Sequence, residues 1–527
     1  MSFDRNRLNT HRARPKPTQR GKRPIMHNPD PHQIEQAANE PTGSRTAAFC
    51  EIVRDHMDRA PVAVPPEAST AGVVDAMRES GGSSVVVLGT DGAPAGILTE
   101  RDVVRRLAFQ DVAAEPVAGF MSSPVHTIQE SDYLFHAIAS MRRLNLRHMP
   151  VLDATGRLSG LLHLHRALAD ASCPLMQQID VLTHEATMEG LAKVKNAQVD
   201  VAHALLEEQV PARDIQRLLT QINNDIYRRI VGMQITAMKE EGLGEPPVRF
   251  AVIVMGSGGR GESFLFPDQD NGFVLEDYPD SMHPRVDRYF IELAERMTTG
   301  LDEVGISLCR GYVMATNPLW RKSLDQWFMQ LRHWMAAANP NILRLTDVFF
   351  DFTPVAGDRK LAAALRDRLT RMARGNYGFL RETQRAQEGH GVALGLFGRL
   401  SPDHSPGPWK GKLNLKYHGL LPLVEAARLL ALREGIADTS TPARLGQLRR
   451  EGVLDANEYD YLNGAFQLIT ELVLRLQLAD LKSGRQVGAW IATDDLTRRD
   501  KDMLRDGLLA IQRFKSRVRM DLTGDLF

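Results

Sequence analysis

Two aspartates, Asp268 and Asp270, stand two residues apart where residues 266–275 read FPDQDNGFVL. In an extended chain both side chains point to one face. Two carboxylates side by side repel, and each raises the other's pKa. A divalent cation removes that penalty, and Mg²⁺ takes hard oxygen ligands while keeping substrate phosphates in its shell. Upstream, residues 256–262 read GSGGRGE. A glycine-rich turn offers backbone N–H groups to phosphate oxygens, and Arg260 adds a fixed positive charge. Turn, arginine and paired carboxylates together describe a site for a metal–nucleoside triphosphate complex.

The stretch Gly256–Gly261 is also a literal GxGxxG that follows an apolar run, with Glu276 some twenty residues on. A dinucleotide fold needs a crossover helix between two parallel strands. Only residues 262–270 lie between the last glycine and the next strand, and they include Pro267 and both aspartates. Such a segment does not make a packed crossover helix. No Gly-Lys-Ser/Thr closes the loop, so a P-loop is excluded as well.

The elements that must position these residues are read from periodicity. RFAVIVMG and NGFVLE are expected strands around the turn, RVDRYFIELAERMTTGLDEVG a helix, and SLCRGYVMA and TDVFFDFTPVAG further strands. Trp320, Trp327 and Trp334 recur every seven residues, a helix face packed in a core. Residues 175–244 carry apolar residues at helical spacing, and the chain after Asp358 is mostly helical. Earlier, two segments, from Val62 and from Pro124, repeat one unit of strand, amphipathic helix, buried strand (VVVL; MPVL), turn, strand (GIL; GLL) and helix, with Gly96 and Gly160 in equivalent places. A repeat this short is expected to pair its copies around one shared core.

The chain has 527 residues, 43% hydrophobic and 25% charged, with zero formal net charge. That length implies several domains. No bulk basic field draws the chain to nucleic acid or membrane, and no apolar run reaches the ~18–20 residues of a membrane helix. Cys50, Cys173 and Cys309 form no metal spacing, are read as small buried hydrophobes and fit a cytoplasmic location. Residues 1–25 are basic, rich in proline and poor in apolar residues, an expected disordered tail without a secretory h-region. His390, His404 and His418 do not repeat at ligand spacing and are read as surface or loop residues.

Gly96-Ile97-Leu98-Thr99-Glu100-Arg101-Asp102 resembles the motif that closes a CBS repeat. Tandem CBS repeats form an α/β module that often binds adenine nucleotides. The resemblance gives Thr99 a phosphate contact and Asp102 a ribose contact. The second repeat has His163 and Arg166 in those positions, leaving Arg166 or His165 to meet phosphate. The alternative is that Thr99 caps a helix and Asp102 pairs with an arginine. The string Gly-Ser-x-Gly-Arg-x-Glu followed by Asp-x-Asp resembles the DNA polymerase β nucleotidyltransferase superfamily. Within it, the branch of bacterial PII-protein uridylyltransferases and glutamine-synthetase adenylyltransferases is similar. CRGYVMATNPLW, FFDFTPVAGD and LNLKYHGLLPLVEAARLLAL resemble signal-transduction proteins that join CBS repeats to a nucleotidyltransferase domain and a helical C-terminal domain.

The resemblance implies a multidomain fold, α/β plus α: a basic tail (1–45), tandem CBS repeats (46–172), a helical linker (173–246), a polymerase-β-like domain with a mixed sheet (247–357) and a helical C-terminal domain (358–527). It implies Mg²⁺ or Mn²⁺ on Asp268, Asp270 and a third carboxylate, Asp351 in VFFDFTP, with Asp347 in reserve. Asp351 would also help deprotonate the acceptor hydroxyl. Gly256, Ser257 and Gly259 would hold the phosphates, Arg260 would neutralise them, Glu262 would orient Arg260 and Lys416 would reach the nucleotide. Thr353 and Asn414 stand where relatives commonly carry Arg and Asp. The implied reaction moves a nucleoside monophosphate from an NTP to an acceptor hydroxyl on a protein, with AMP or ATP as effector at the CBS repeats and a homodimer through them. The other reading is an idle nucleotide-sensing regulator that acts through a partner.

Overall fold

The computed structural model describes residues 51–107, 112–170, 187–337 and 340–524. The basic tail, Cys50, Cys173 and the start of the helical linker lie outside the described residues. The described residues fall in one compact unit.

The first repeat comprises β1 (Ala63–Val64), α1 (Thr70–Ser80), β2 (Ser84–Leu88) and β3 (Pro94–Thr99). The second comprises β4 (Ile128–Gln129), α2 (Leu134–Arg143), β5 (His148–Leu152) and β6 (Leu158–His163). Both sheets have one parallel and one antiparallel pairing in the same order. The equivalent glycines have one cause. A Cβ on Gly96 would lie 2.3 Å from Met121 Sδ, and one on Gly160 would lie 2.5 Å from Met57 Sδ. Each repeat's lead segment therefore crosses onto the other repeat's last strand, and only glycine leaves room for it. The repeats do not share one large core. The first has its own cluster around Val73, Val85 and Leu98, while Val86, Ile97 and Leu161 meet between the copies.

The second repeat is continuous with the rest. Its Tyr133 and Leu134, with Val53 of the first repeat's lead segment that crosses onto it, join the cluster that holds Val201 and Leu205 of α3 (Met188–Glu207) and Ile215, Leu218 and Leu219 of α4 (Ala212–Glu240). Thr187 caps α3 by accepting from Gly190 N. The three- and four-residue spacing in α4 puts Ile226 and Ile230 against the sheet domain.

That sheet has the order β10-β7-β8-β9, from β7 (Phe250–Val254), β8 (Asn271–Leu275), β9 (Arg321–Ser323) and β10 (Thr353–Gly357). β7 runs antiparallel to β8 and β10, and β8 parallel to β9. The antiparallel β7–β8 pair excludes a βαβ dinucleotide unit directly. Both faces of β7 are covered. Val252 and Val254 pack with α5 (His283–Glu303) and α4, while Ala251 and Ile253 face the larger core.

Two strand expectations differ from the structure. Residues 307–315 form an irregular turn with Tyr312 at φ 54°, although Gln269 N donates to Ser307 O and Asn271 N to Val313 O. TDVFFDF begins as helix, α7 (Pro340–Phe349), after α6 (Leu324–Ala337), and the strand starts only at Thr353. Aromatic residues favour strands, but packing decides here. Phe349 stacks on Trp327 at 4.6 Å and lies among Trp320 and Trp334.

The C-terminal helices include α8 (Arg359–Ala373), α9 (Leu421–Glu434), α10 (Thr441–Arg450), α11 (Ala456–Lys482) and α12 (Arg498–Thr523). Residues 422–432 of α9 are buried on every side, including Glu425 and Arg428. A helix apolar all round is a core helix, so these two charges must find partners inside.

Candidate active site and nucleotide cleft

β7 delivers the chain into one helical turn, Gly256–Arg260. The first N–H groups of such a turn have no partner within it. Gly256 has φ 59°, and a Cβ there would stand 2.8 Å from Asp270 Oδ2. Glycine thus lets the Asp270 carboxylate rest against the turn. A Cβ on Gly259 would collide with Asp351 O at 1.8 Å. Gly259 O accepts from Thr353 Oγ1 at 2.8 Å and Thr439 Oγ1 at 2.9 Å. Ser257 is half-buried.

The DQDN segment alternates strictly. Gln269 and Asn271 are fully buried. Gln269 Nε2 donates to Thr298 O and Ile306 O, and Asn271 Oδ1 accepts from Ala315 N. These anchors turn Asp268 and Asp270 together to the opposite side, Asp268 exposed and Asp270 half-buried. Burial raises the Asp270 carboxyl to about 6, a bond from the Cys309 thiol opposes this, and the Asp268 charge adds to it. Cys309 is therefore a neighbour of the pair and not merely a small hydrophobe; burial and Asp270 push its thiol up to about 11. Lys416 closes the cluster. Its side chain is exposed to solvent, yet desolvation by the surrounding protein and the Arg260 charge lower its pKa, and Asp268 and Asp270 counter them. Lys416 starts a π-helical turn, residues 416–420.

Asp351 has a different setting from the one expected. It follows α7 on a turn, is fully buried and is surrounded by guanidinium groups. Arg428 Nη2 reaches it at 2.6 Å, Arg444 Nη1 at 2.7 Å and Arg260 Nη1 at 2.8 Å. Burial alone would raise its pKa, but these three charges hold it well below the carboxylate range. A carboxylate so saturated has no lone pairs for a cation, so the metal and base roles expected of Asp351 do not fit this geometry. Residues 304–323, which flank the pair, contain no Asp or Glu. Among the described residues no group of three or more His, Cys, Asp and Glu side chains could hold a metal. Asp347, the reserve choice, accepts from Gln387 Nε2 at 2.7 Å and pairs with Arg428 at 3.1 Å. Burial raises it to about 7 against the Arg428 charge.

Arg260 is correspondingly shared. Its Nε donates to Glu262 Oε2 at 2.6 Å and its Nη1 to Asp351. Glu262 Oε1 accepts from Thr441 N at 2.6 Å. The turn is thus clamped to the C-terminal helices. Sequence reasoning missed Arg428, Arg444, Gln269 and Asn271. The charges of α9 inside an otherwise apolar run were the available signal. His390 is also more than a loop residue, since its Nδ1 lies 2.7 Å from Oε1 of buried Glu425.

A divalent cation fits the Asp268–Asp270 pair. Repulsion between the two acids is the penalty it removes, and Gly256 leaves the space beside Asp270 free of side chain. With two carboxylates supplied, substrate oxygens and water complete its shell.

In the repeats, Thr99 caps the short helix Glu100–Asp102. Thr99 Oγ1 donates to Asp102 Oδ2 at 2.6 Å, and Asp102 N donates back to Thr99 Oγ1 at 3.4 Å. Asp102 pairs with Arg106 at 3.5 Å. Both residues still line a cavity of about 560 Å³ with Ser83, Arg147, His148 and His165. Arg166 is exposed and is not part of that lining; His165 takes the place expected of it. His148 bonds Ser83 Oγ at 2.7 Å, and burial lowers it to about 4, so it is neutral near pH 7.

Three family models match the chain: "CBS domain" at 53–109 and 117–170, "Putative nucleotidyltransferase DUF294" at 196–341 and "Putative nucleotidyltransferase substrate binding domain" at 377–522. An uncharacterised 17.7 kDa protein of Acidianus ambivalens is 30% identical over 110 residues, 20% of this chain and 66% of the relative. An uncharacterised protein of Methanopyrus kandleri is 36% identical over 87 residues, 16% of this chain and 44% of the relative. The chain thus spans less than two thirds of the length of either relative. Among solved structures, a CBS-domain protein of Agrobacterium tumefaciens is 28% identical, covering 23% of this chain and 98% of its own, with TM-score 0.21. A CBS domain protein of Pyrobaculum aerophilum complexed with AMP is 25% identical, covering 23% and 98%, with TM-score 0.22. The chain thus carries a CBS domain pair, a domain of the DUF294 putative nucleotidyltransferase family and that family's substrate-binding C-terminal domain.

Proposed function

We propose that this chain is a metal-dependent nucleotidyltransferase that moves a nucleoside monophosphate from an NTP to a hydroxyl, on a protein acceptor as in the uridylyltransferases. One observation carries the reading: Gln269 and Asn271, anchored inside, turn Asp268 and Asp270 together toward the Gly256 turn. Asp268 and Asp270 would hold Mg²⁺ or Mn²⁺, which supplies charge neutralisation at the triphosphate. Gly256 and Ser257 would present the turn's free N–H groups to phosphate, whereas Gly259, whose N–H donates to Met255 O, serves by close packing against Asp351. Lys416 adds positive charge from the C-terminal side. Arg260, tied to Glu262 and Asp351, acts as a fixed dipole-like support more than as a mobile clamp. The acceptor oxygen attacks the α-phosphorus, the bond to the β-phosphate oxygen breaks, pyrophosphate leaves and the hydroxyl proton passes to solvent. Positioning and charge are what such a transfer asks of a protein. AMP or ATP in the cavity beside Thr99 and Asp102 would adjust the rate.

One observation favours a second reading, a nucleotide-sensing regulator without turnover. Asp351 is locked among arginines, leaving two carboxylates where two-metal transferases use three. Labelled ATP, UTP, CTP and GTP with Mn²⁺ or Mg²⁺ and cell extract decide between them. Label on a protein band, absent for Asp268→Ala/Asp270→Ala, supports the transferase. Binding without transfer or pyrophosphate release for all four sinks it.

A further inference from the structure

The loop between the glycine turn and the aspartates, residues 262–265, is gripped from α4. Gln216 Nε2 donates to Glu262 O at 3.0 Å, and Ser263 N donates to Thr220 Oγ1 at 3.0 Å. Thr220 Oγ1 in turn donates to Gln216 O at 2.8 Å. Gln216 and Thr220 are buried. Downstream, Lys195 Nζ of α3 donates to Leu265 O at 2.8 Å and Leu265 N to Gln477 Oε1 at 3.3 Å. The path of the backbone into Asp268 is therefore set by α3, α4 and α11.

The same turn of α4 holds the second repeat. Arg217 Nη2 donates to Ser131 O at 3.1 Å and to Asp132 Oδ1 at 3.0 Å, and its guanidinium lies 5.3 Å from the Tyr133 ring centroid. Tyr133 is the residue from which α2 starts. The other end of α2 leads into Asn145, Leu146, Arg147 and His148, which line the cavity beside Thr99 and Asp102. A ten-residue helix is a rod of about 15 Å. The apolar core of this repeat is moreover continuous with that of α4, whereas the first repeat keeps its own.

We infer that Gln216, Arg217 and Thr220 are positioning residues that tie the cavity of the CBS pair to the aspartate pair. A ligand that shifts residues 144–148 moves α2, Arg217 transmits the shift to α4, and Gln216 and Thr220 re-aim the loop entering Asp268. This rests on the transferase reading for its consequence, but not for its geometry. Coupling of this kind is reciprocal. A change at the loop end must therefore be felt at the cavity wall.

The test is hydrogen–deuterium exchange on the full chain, with and without AMP. In the absence of nucleotide, Arg217→Ala is expected to speed exchange of residues 262–268 by roughly fivefold, and Arg217→Lys by less. Thr220→Val is expected to speed exchange at 144–148. AMP is expected to change exchange at 262–268 in the wild type and not in Arg217→Ala. Wild-type exchange at 262–268 in Arg217→Ala, with change confined to 128–134, overturns the inference. If Arg217→Ala loosens the whole chain, Arg217→Lys decides by the same criterion. Nucleotide transfer is scored separately on the same proteins. Its absence with coupled exchange intact defeats the transferase reading alone, and its presence with uncoupled exchange defeats this inference alone.

Discussion

Asp351 and Asp270 should respond to the same chemical change in opposite ways. Replacing Asp351 with Asn keeps the shape and removes the charge that Arg428, Arg444 and Arg260 share at 2.6–2.8 Å. Their side chains are 3%, 2% and 13% exposed, so water cannot take over. Breaking a buried ion pair costs about 3–5 kcal/mol because the remaining charge is left uncompensated. Three guanidinium groups left facing one another put this case at the upper end, a fall in Tm of roughly 5–10 °C. The sign with pH follows from a carboxyl held below its ordinary value. Its stabilisation is present above about 4 and is lost as pH falls toward the folded value. Asp270 is the reverse case, raised from 3.8 to about 6. Its contribution is intact below pH 4 and lost as pH rises through about 6. Asp270→Asn should therefore leave the metal-free protein unchanged at pH 4 and stabilise it by about 1–3 kcal/mol at pH 8. Thermal melts in EDTA at both pH values measure this. An Asp351→Asn protein that melts like wild type in EDTA but loses a Mn²⁺-induced rise in Tm would refute the reasoning and return Asp351 to the metal.

Mg²⁺ or Mn²⁺ should stabilise the fold by about 2.7 kcal/mol at one hundred times Kd, seen as a concentration-dependent rise in Tm, and Asp268→Ala/Asp270→Ala should abolish the rise in a melt series. Gly256→Ala combines φ 59° with a Cβ 2.8 Å from Asp270 Oδ2. It should weaken Mn²⁺ binding at least tenfold by titration calorimetry, with a stability loss of about 1–2 kcal/mol; unchanged affinity would mean that the turn does not abut the metal site. Lys195 is buried and lowered from 10.5 to about 7. The unfolded chain binds more protons between those values, so the Lys195 contribution makes stability rise with pH from 7 to 10.5, by up to about 1.4 kcal/mol per pH unit. Urea midpoints of Lys195→Met should show a flatter profile over that window. Glu425 raises the pKa of His390 by hydrogen bond and charge. That stabilisation is full below 6.5 and lost as pH rises past the folded value, and NMR titration of His390 should move down in Glu425→Gln.

The alternation in DQDN and the false GxGxxG were legible because both are local: strand period and the lack of room for a helix need no tertiary information. The repeats were legible for the same reason, and Gly96 and Gly160 were seen as equivalents, though the approaches of Met121 and Met57 that require them come from distant segments. Asp351 was misread because its surroundings come from afar. An acid flanked by Phe350 and Phe352 looks like a strand residue in a catalytic sheet. Its partner Arg428 lies 77 residues downstream on a helix whose apolar run gives no hint of what it faces. Cys309 likewise looked inert until the irregular turn 307–315 brought it to Asp270. Arg166 was carried over by position in the repeat, but the side chain one residue earlier, His165, is the one at the cavity.

The clamp on the glycine turn bears on how such a chain can be inherited. The turn lies within the match at 196–341, yet its tethers, Thr353, Thr439, Thr441, Asp351, Arg428 and Arg444, all lie beyond it. A gene fragment ending at residue 341 would carry both aspartates with their anchors Gln269 and Asn271, but the glycine turn without the groups that tether it. The Gly256 turn and the C-terminal helices that clamp it therefore make one structural unit. The first CBS repeat keeps a core of its own, yet it is interlocked with the second through Met57, Met121 and the shared contact of Val86, Ile97 and Leu161.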